Sequence, residues 1–284
     1  MASAALVPAA VAVVTGGASG IGLAAAIRFC KMGLKVCIAD LGADRLERAV
    51  NSIVALASTD VANVFACETD VSDPGQVRTL EASVYDRFGG VDVLMNNAGI
   101  ATPTDILGRA DDWQRLLAVN LWGVIHGTQV FVPGMLARGR AGLVINTGSK
   151  QGITTPPGSP AYNLSKAGVK VFTEALQHQL RNTPYAKLSA HLLIPGFVHT
   201  GLSSADQGNK PAAAWTAEQT VDFMIERLGA GDFYILCPDN DVNRRLDERR
   251  IQWAAGDLID NRPPLSRWHP DFSDAFKAFC DEQP

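Results

Sequence analysis

Tyr162 and Lys166 stand four residues apart in the stretch AYNLSK, a spacing that puts both side chains on one face of a helix. A tyrosine hydroxyl ionises at about 10, too high to deprotonate an alcohol efficiently near neutrality. A neighbouring ammonium group favours the phenolate and brings the phenol closer to working pH. The spacing alone recurs by chance, so it needs company. Ser149 supplies some: it ends the apolar run LVINTGS thirteen residues before the tyrosine. There, at the carboxyl end of a strand, its hydroxyl faces the place where ligands sit. Asn120 interrupts the apolar stretch LLAVNLWGVI, and a buried amide requires partners. Backbone groups satisfy it, or it relays protons through water toward Lys166. The chemistry these residues suit is proton abstraction by Tyr162 while a hydride leaves the same alcohol carbon, with Ser149 steadying the oxygen.

A hydride needs an acceptor, and Thr15–Gly22 reads T-G-G-A-S-G-I-G between a strand-like run and a helical stretch. Gly16, Gly20 and Gly22 remove side chains where a backbone must turn tightly and approach a pyrophosphate. Ser19 and Ile21 share that loop, and the N–H groups and positive end of the following helix face the anion. Asp40 lies eighteen residues beyond Gly22, at the end of LKVCIA, where an acid accepts hydrogen bonds from the adenosine ribose. A carboxylate there repels the 2′-phosphate of NADP, and Leu41, Gly42 and Ser19 offer no cation to attract it. The alternative for Asp40 is a plain helix cap. The reading is NAD rather than NADP.

The elements that must position these groups alternate along the chain. Ala9–Val14, Leu34–Ala39, Val61–Cys67, Val91–Met95, Gly142–Asn146, His191–Ile194 and Phe233–Cys237 read as strands. Ile21–Met32, Ala43–Ala57, a helix begun by the Asp73–Pro74 cap, a long apolar helix over Ala110–Arg138, Ala161–Leu180 and Ala217–Leu228 read as helices. Near-continuous apolar strands alternating with helices predict an α/β fold, a doubly wound parallel sheet of Rossmann type in a single domain. Residues 1–238 hold the dinucleotide-binding and catalytic part. Residues 239–284 form an extension with paired arginines and two tryptophans, in which Val242, Leu246 and Trp253 make one apolar helical stripe. It covers the sheet edge, forms a subunit contact, or closes the substrate opening.

With these residues in hand, the chain over Ala9–Cys237 resembles the short-chain dehydrogenase/reductase family. The matching motifs are TGGASGIG, Asp70–Val71, NNAG at Asn96–Gly99, Asn120, Ser149, YNLSK and PGFVHT at Pro195–Thr200. The resemblance implies strand order 3-2-1-4-5-6-7 and a catalytic set of Asn120, Ser149, Tyr162 and Lys166. It also implies that Asp70 and Val71 contact adenine and that Asn97, Ala98 and Gly99 line the cofactor cleft. Pro195 would border the same cleft, Val198 and Thr200 would hold the nicotinamide carboxamide, and Lys166 would bind the nicotinamide ribose as well. Dimers or tetramers through the two long helices are a further implication. Two departures stand out: TGS replaces the commoner Ser-Ser pair, and FYILCPD lacks the frequent VDGG ending. The long tail loosely resembles that of members oxidising benzylic alcohols of lignin-type aryl ethers.

Composition narrows the partners. A chain of 284 residues with 47% hydrophobic residues can build a sizeable core, and a net charge of −4 without charge runs argues against nucleic acid or an anionic membrane. No segment reads as an apolar membrane span, and the N-terminal MASAALVPAAVAVV has no basic region before Arg28. Five cysteines without a CxxC pair read as reduced, buried thiols in a cytoplasmic protein. The five histidines lack metal-ligand spacing, so no metal is expected. The loops Ile100–Ile106, Lys150–Pro160 and Phe197–Trp215, with Ile153, Pro156, Pro157, Phe197, Leu202 and Trp215, suit an apolar or aromatic secondary alcohol or its ketone. The alternatives are an NADPH-preferring carbonyl reductase and a non-catalytic dinucleotide sensor.

Overall fold

Strands β1 (Val11–Thr15), β2 (Lys35–Asp40), β3 (Val64–Glu68), β4 (Val93–Asn96), β5 (Gly142–Thr147), β6 (Leu188–Ile194) and β7 (Tyr234–Leu236) pair in parallel. Their order is β3-β2-β1-β4-β5-β6-β7, the order expected. Every residue of β1, β4, β5 and β6 is buried, which is what a sheet covered on both faces requires. The computed structural model describes residues 4–202 and 209–281. Residues 203–208 of the Phe197–Trp215 loop therefore lie outside the described residues.

Helices α1 (Gly20–Lys31), α2 (Ala43–Ala57) and α8 (Ala217–Ala230) cover one face, burying Phe29, Ile53 and Met224 in a common apolar cluster. Helices α3 (Pro74–Phe88), α4 (Ala110–Leu117), α5 (Gly123–Ala137) and α7 (Pro160–Asn182) cover the other, where Leu80, Phe131 and Met135 pack on the sheet. The strand order runs outward in opposite directions from β1 and from β4, and at that switch point a crevice opens at the carboxyl ends of the strands.

Three expectations shift. Residues Val61–Asn63 form a tight turn rather than strand, because the Asp60 carboxylate accepts from the Ala62 amide at 2.8 Å and winds the chain there. Strand β6 starts at Leu188, three residues early, since it pairs along all of β5. The long helix is continuous over Ala110–Ala137 but passes through a widened turn at Ala118–Trp122, centred on buried Asn120. Widened turns of this kind concentrate at functional sites. By length and composition alone this 28-residue helix is long and apolar enough to cross a membrane, a property that core helices share. In the fold it packs Val124, Phe131 and Met135 into the core.

In the tail, α9 (Arg244–Ile259) packs against the short α6 (Gln151–Thr154), and α10 (Ser273–Asp281) packs against α9. The proposed stripe is only partly realised. Trp253 is buried, but Val242 and Leu246 are half-buried, and the fully buried neighbour is the charged Asp247. All five cysteines are free, and Cys30, Cys37 and Cys237 are buried. Burial pushes the Cys30 thiol up to about 12.

Candidate active site

A cleft of about 930 Å³ runs along the carboxyl ends of the strands, bounded at one end by Asp40 and containing Tyr162 and Lys166. The glycine-rich turn forms its floor. Gly16 and Gly20 have φ of +64° and +52°, a region that side chains rarely adopt. A Cβ on Gly22 would sit 2.1 Å from the Gly16 carbonyl oxygen, so α1 can approach the turn only through glycine. Opposite, the Asn97 amide donates to the backbone oxygens of Thr15 and Gly16 at 3.2 and 3.4 Å. The Thr15 hydroxyl accepts from the amides of Asn97 and Ala98 at 2.9 and 3.1 Å. Two glycine-bearing loops are thereby locked side by side, leaving a trough lined by backbone at the N-terminus of α1. A dinucleotide fits such a trough, with its pyrophosphate against the helix end.

Asp40 lies at the far end. Its carboxylate accepts from the Ala18 amide at 3.0 Å and pairs with the Arg45 guanidinium. Arg45 was missed in the sequence, where only Leu41, Gly42 and Ser19 were weighed as neighbours of the 2′-phosphate. It sits in the first turn of α2, where side chains tilt back toward the helix N-terminus, and it lines the cleft. Asp70 and Val71 line the cleft too. The Asp70 carboxylate accepts from the amide and hydroxyl of Ser72, and the Val71 side chain lies over Gly123, where a Cβ would come within 2.7 Å.

Ser149, Tyr162 and Lys166 come together in the cleft. Ser149 follows β5 and lines the cleft beside Tyr162, and its Oγ accepts from the Gln151 amide at 3.2 Å. Lys166, one turn along α7, is buried and donates to the Thr147 carbonyl oxygen at 2.8 Å, with Nζ 5.7 Å from the Tyr162 ring centre. One expectation is corrected here. Burial raises the Tyr162 phenol above its ordinary value, and the Ser149 side chain pulls only partly the other way. The same dry surroundings bring the Lys166 ammonium down to about 8. Desolvation penalises both charged forms and is the first cause of each shift.

Asn120 is fully buried and does not line the cleft. Its amide nitrogen donates to the Ile100 carbonyl oxygen at 2.9 Å and its oxygen accepts from the Ile100 amide at 2.8 Å. Backbone thus satisfies it, with no direct bond to Lys166. Gly99 lies between the two: a Cβ there would be 3.4 Å from the Asn120 oxygen and 3.8 Å from the Lys166 nitrogen. Gly16, Ser19, Gly20, Ile21, Gly99, Pro195, Val198 and Thr200 all border the cleft, whereas Gly22 lies beneath it. Of the apolar loop residues, Phe197 and Leu202 face the cleft. Ile153 packs into a core cluster with Val169 and Leu192, and Trp215 meets Phe223 edge to face and donates its amide to the Phe197 carbonyl oxygen.

Residues 10–210 match the family model for short chain dehydrogenases. The chain is 31% identical over 266 residues to 1-deoxy-11-beta-hydroxypentalenate dehydrogenase of Streptomyces exfoliatus, covering 90% of this chain and 93% of that one. It is 36% identical over 195 residues to an NADP-dependent (R)-specific alcohol dehydrogenase of Lentilactobacillus kefiri, covering 68% and 74%. A short-chain dehydrogenase/reductase from Burkholderia phymatum, solved in complex with NAD, superposes with a TM-score of 0.81 at 30% identity, covering 90% and 96%. The chain belongs to the short-chain dehydrogenase/reductase family and is an oxidoreductase.

Proposed function

We propose that the protein oxidises a secondary alcohol to a ketone, or runs the reverse, with NAD as hydride acceptor. The observation that carries this reading is the meeting of Ser149, Tyr162 and Lys166 in a cleft whose other end holds Asp40. The dinucleotide supplies the hydride acceptor and, when oxidised, a formal positive charge. Tyr162 takes the alcohol proton, Ser149 holds the oxygen, and Lys166 fixes the ribose side of the cleft. Asn120 positions Ile100 and Gly99 rather than touching the reacting atoms. Gly16, Ser19, Gly20 and Ile21 hold the pyrophosphate, Asp40 the adenosine ribose, Asp70 and Val71 the adenine, and Asn97, Ala98, Gly99, Pro195, Val198 and Thr200 the remainder. Phe197 and Leu202, both substantially exposed at the mouth, suit an apolar or aromatic substrate.

Arg45 favours a second reading, an NADPH-preferring carbonyl reductase, because a guanidinium at the adenosine end attracts a 2′-phosphate. Exposed Leu164 and Val171 on α7 and Trp122 beside α5 support a homodimer or homotetramer through these helices. Reduced cysteines support a cytoplasmic setting. The test is a panel of secondary alcohols and ketones, read by nicotinamide absorbance with both cofactors. Turnover of apolar alcohols with NAD supports the proposal; cofactor binding without turnover on any member would end it.

A further inference from the structure

The carboxyl end of β5 and the loop after β6 meet the tail through two buried carboxylates and a largely buried ammonium. Lys150, the residue after Ser149, borders the cleft and carries its ammonium group to Asp239 and Asp247. Its Nζ lies 2.7 Å from Asp247 Oδ2 and 3.3 Å from Asp239 Oδ2. The side chains are 17%, 5% and 6% exposed for Lys150, Asp247 and Asp239 respectively. Asp239 Oδ2 also accepts from the Phe197 amide at 3.1 Å, and its Oδ1 accepts from the Val242 amide at 2.8 Å. Gly196 makes the meeting possible: a Cβ there would stand 2.6 Å from Asp239 Oδ2 and 2.9 Å from Lys150 Nζ.

Burying one ammonium with two carboxylates is costly, and an apolar filling of the same volume would hold the fold as well. The expense has a local consequence. Asp239 ties down the backbone of Phe197 on one wall of the cleft, and Lys150 ties down the residue beside Ser149 on the other. Asp247 anchors both to α9, and Ile251 of α9 packs in the same apolar cluster as Ile153 of α6.

We propose that Lys150, Asp239 and Asp247 are positioning residues through which the C-terminal tail sets the geometry of Ser149 and the Phe197 wall, making the tail part of the catalytic unit. This rests on the reading of Ser149 as the group that holds the substrate oxygen. None of the three touches the reacting atoms. Loss of Lys150 removes the tether on the residue beside Ser149 and leaves two buried like charges that repel, which loosens the hold of Asp239 on the Phe197 amide while leaving the glycine-rich turn untouched.

The test compares the full-length wild type with Lys150→Met, Lys150→Arg and Asp247→Asn. Three readouts are taken: steady-state kinetics, NADH affinity by fluorescence, and amide exchange of residues 149–154, 196–199 and 15–22. In Lys150→Met we expect kcat to fall about tenfold or more, the scale of a reactive group displaced by a fraction of an ångström. NADH affinity and exchange at 15–22 stay at wild-type values, exchange at 149–154 and 196–199 speeds up, and Lys150→Arg recovers most of kcat. Should Lys150→Met not fold, Asp247→Asn carries the same comparison with a near-isosteric side chain. Wild-type kcat and exchange in a folded variant overturn the inference, as does a loss shared equally by NADH affinity and global melting. A wild type inert on every substrate overturns the functional reading instead, and the exchange pattern then decides the positioning claim by itself.

Discussion

Cofactor choice turns on one carboxylate and one guanidinium. The Asp40 side chain is only 12% exposed and is held by the Ala18 amide, whereas that of Arg45 is 46% exposed and is held by Asp40 and the Leu41 carbonyl oxygen. Two unit charges about 4 Å apart at an effective dielectric constant of about 20 interact by about 4 kcal/mol. Partial neutralisation by Arg45 and solvent leaves about half of that against a 2′-phosphate, or about 30-fold in Kd. We therefore expect the wild type to bind NADH about 30-fold more tightly than NADPH at low ionic strength, measured by calorimetric titration of both. Asp40→Ser removes the repulsion and releases Arg45 toward the phosphate, so the preference should vanish or reverse. Arg45→Ala should widen the preference for NADH by leaving Asp40 uncompensated. Equal wild-type affinities, or an Asp40→Ser variant with an unmoved ratio, would refute the electrostatic reasoning.

Gly22→Ala should lose at least about tenfold in NADH affinity and melt several degrees lower, because its Cβ would collide with backbone that cannot yield; calorimetry and thermal melting check both. Lys166→Met should abolish turnover yet leave the protein somewhat more stable at pH 7. The shift of Lys166 from 10.5 to about 8 amounts to about 3 kcal/mol against the charged form, offset by about 1–2 kcal/mol for the lost bond to the Thr147 carbonyl. The sign follows from proton binding: between about 8 and 10.5 the unfolded chain keeps a proton that the fold releases, so wild-type stability rises with pH there. The advantage of the methionine variant should shrink across that window in denaturant titrations. A variant less stable than wild type at pH 7 would show that the bond to Thr147 outweighs the burial cost.

Much of this arrangement was legible in the residues because it rests on local rules. The doubly wound parallel sheet followed from apolar runs alternating with helical periods, the strand order from the family resemblance, and the cleft from glycines at the strand–helix turn. What escaped depended on which side chains the fold turns toward one another. Nothing near Asp40 in the chain announces Arg45 except the backward tilt of side chains at a helix start. Asn120 could be placed in the core by its apolar neighbours, but its capture by the Ile100 backbone depends on how a loop folds over the helix. Tyr162 and Lys166 were paired correctly by spacing, yet the sign of the shift on the phenol depends on how dry the pocket is, a property of the packed fold. In the tail, periodicity favoured Val242 and Leu246, and only the packed structure brings Asp247 inside to meet Lys150, 97 residues away in sequence.

The central claim is that the Tyr162 phenol carries the substrate proton. Its most direct test is Tyr162→Phe, with NADH affinity measured beside single-turnover oxidation of the best alcohol on the panel. Losing one hydroxyl from a positioned acid–base group should slow hydride transfer by about 10²–10⁴-fold while leaving NADH binding essentially intact. A phenylalanine variant that turns over at the wild-type rate would contradict the account.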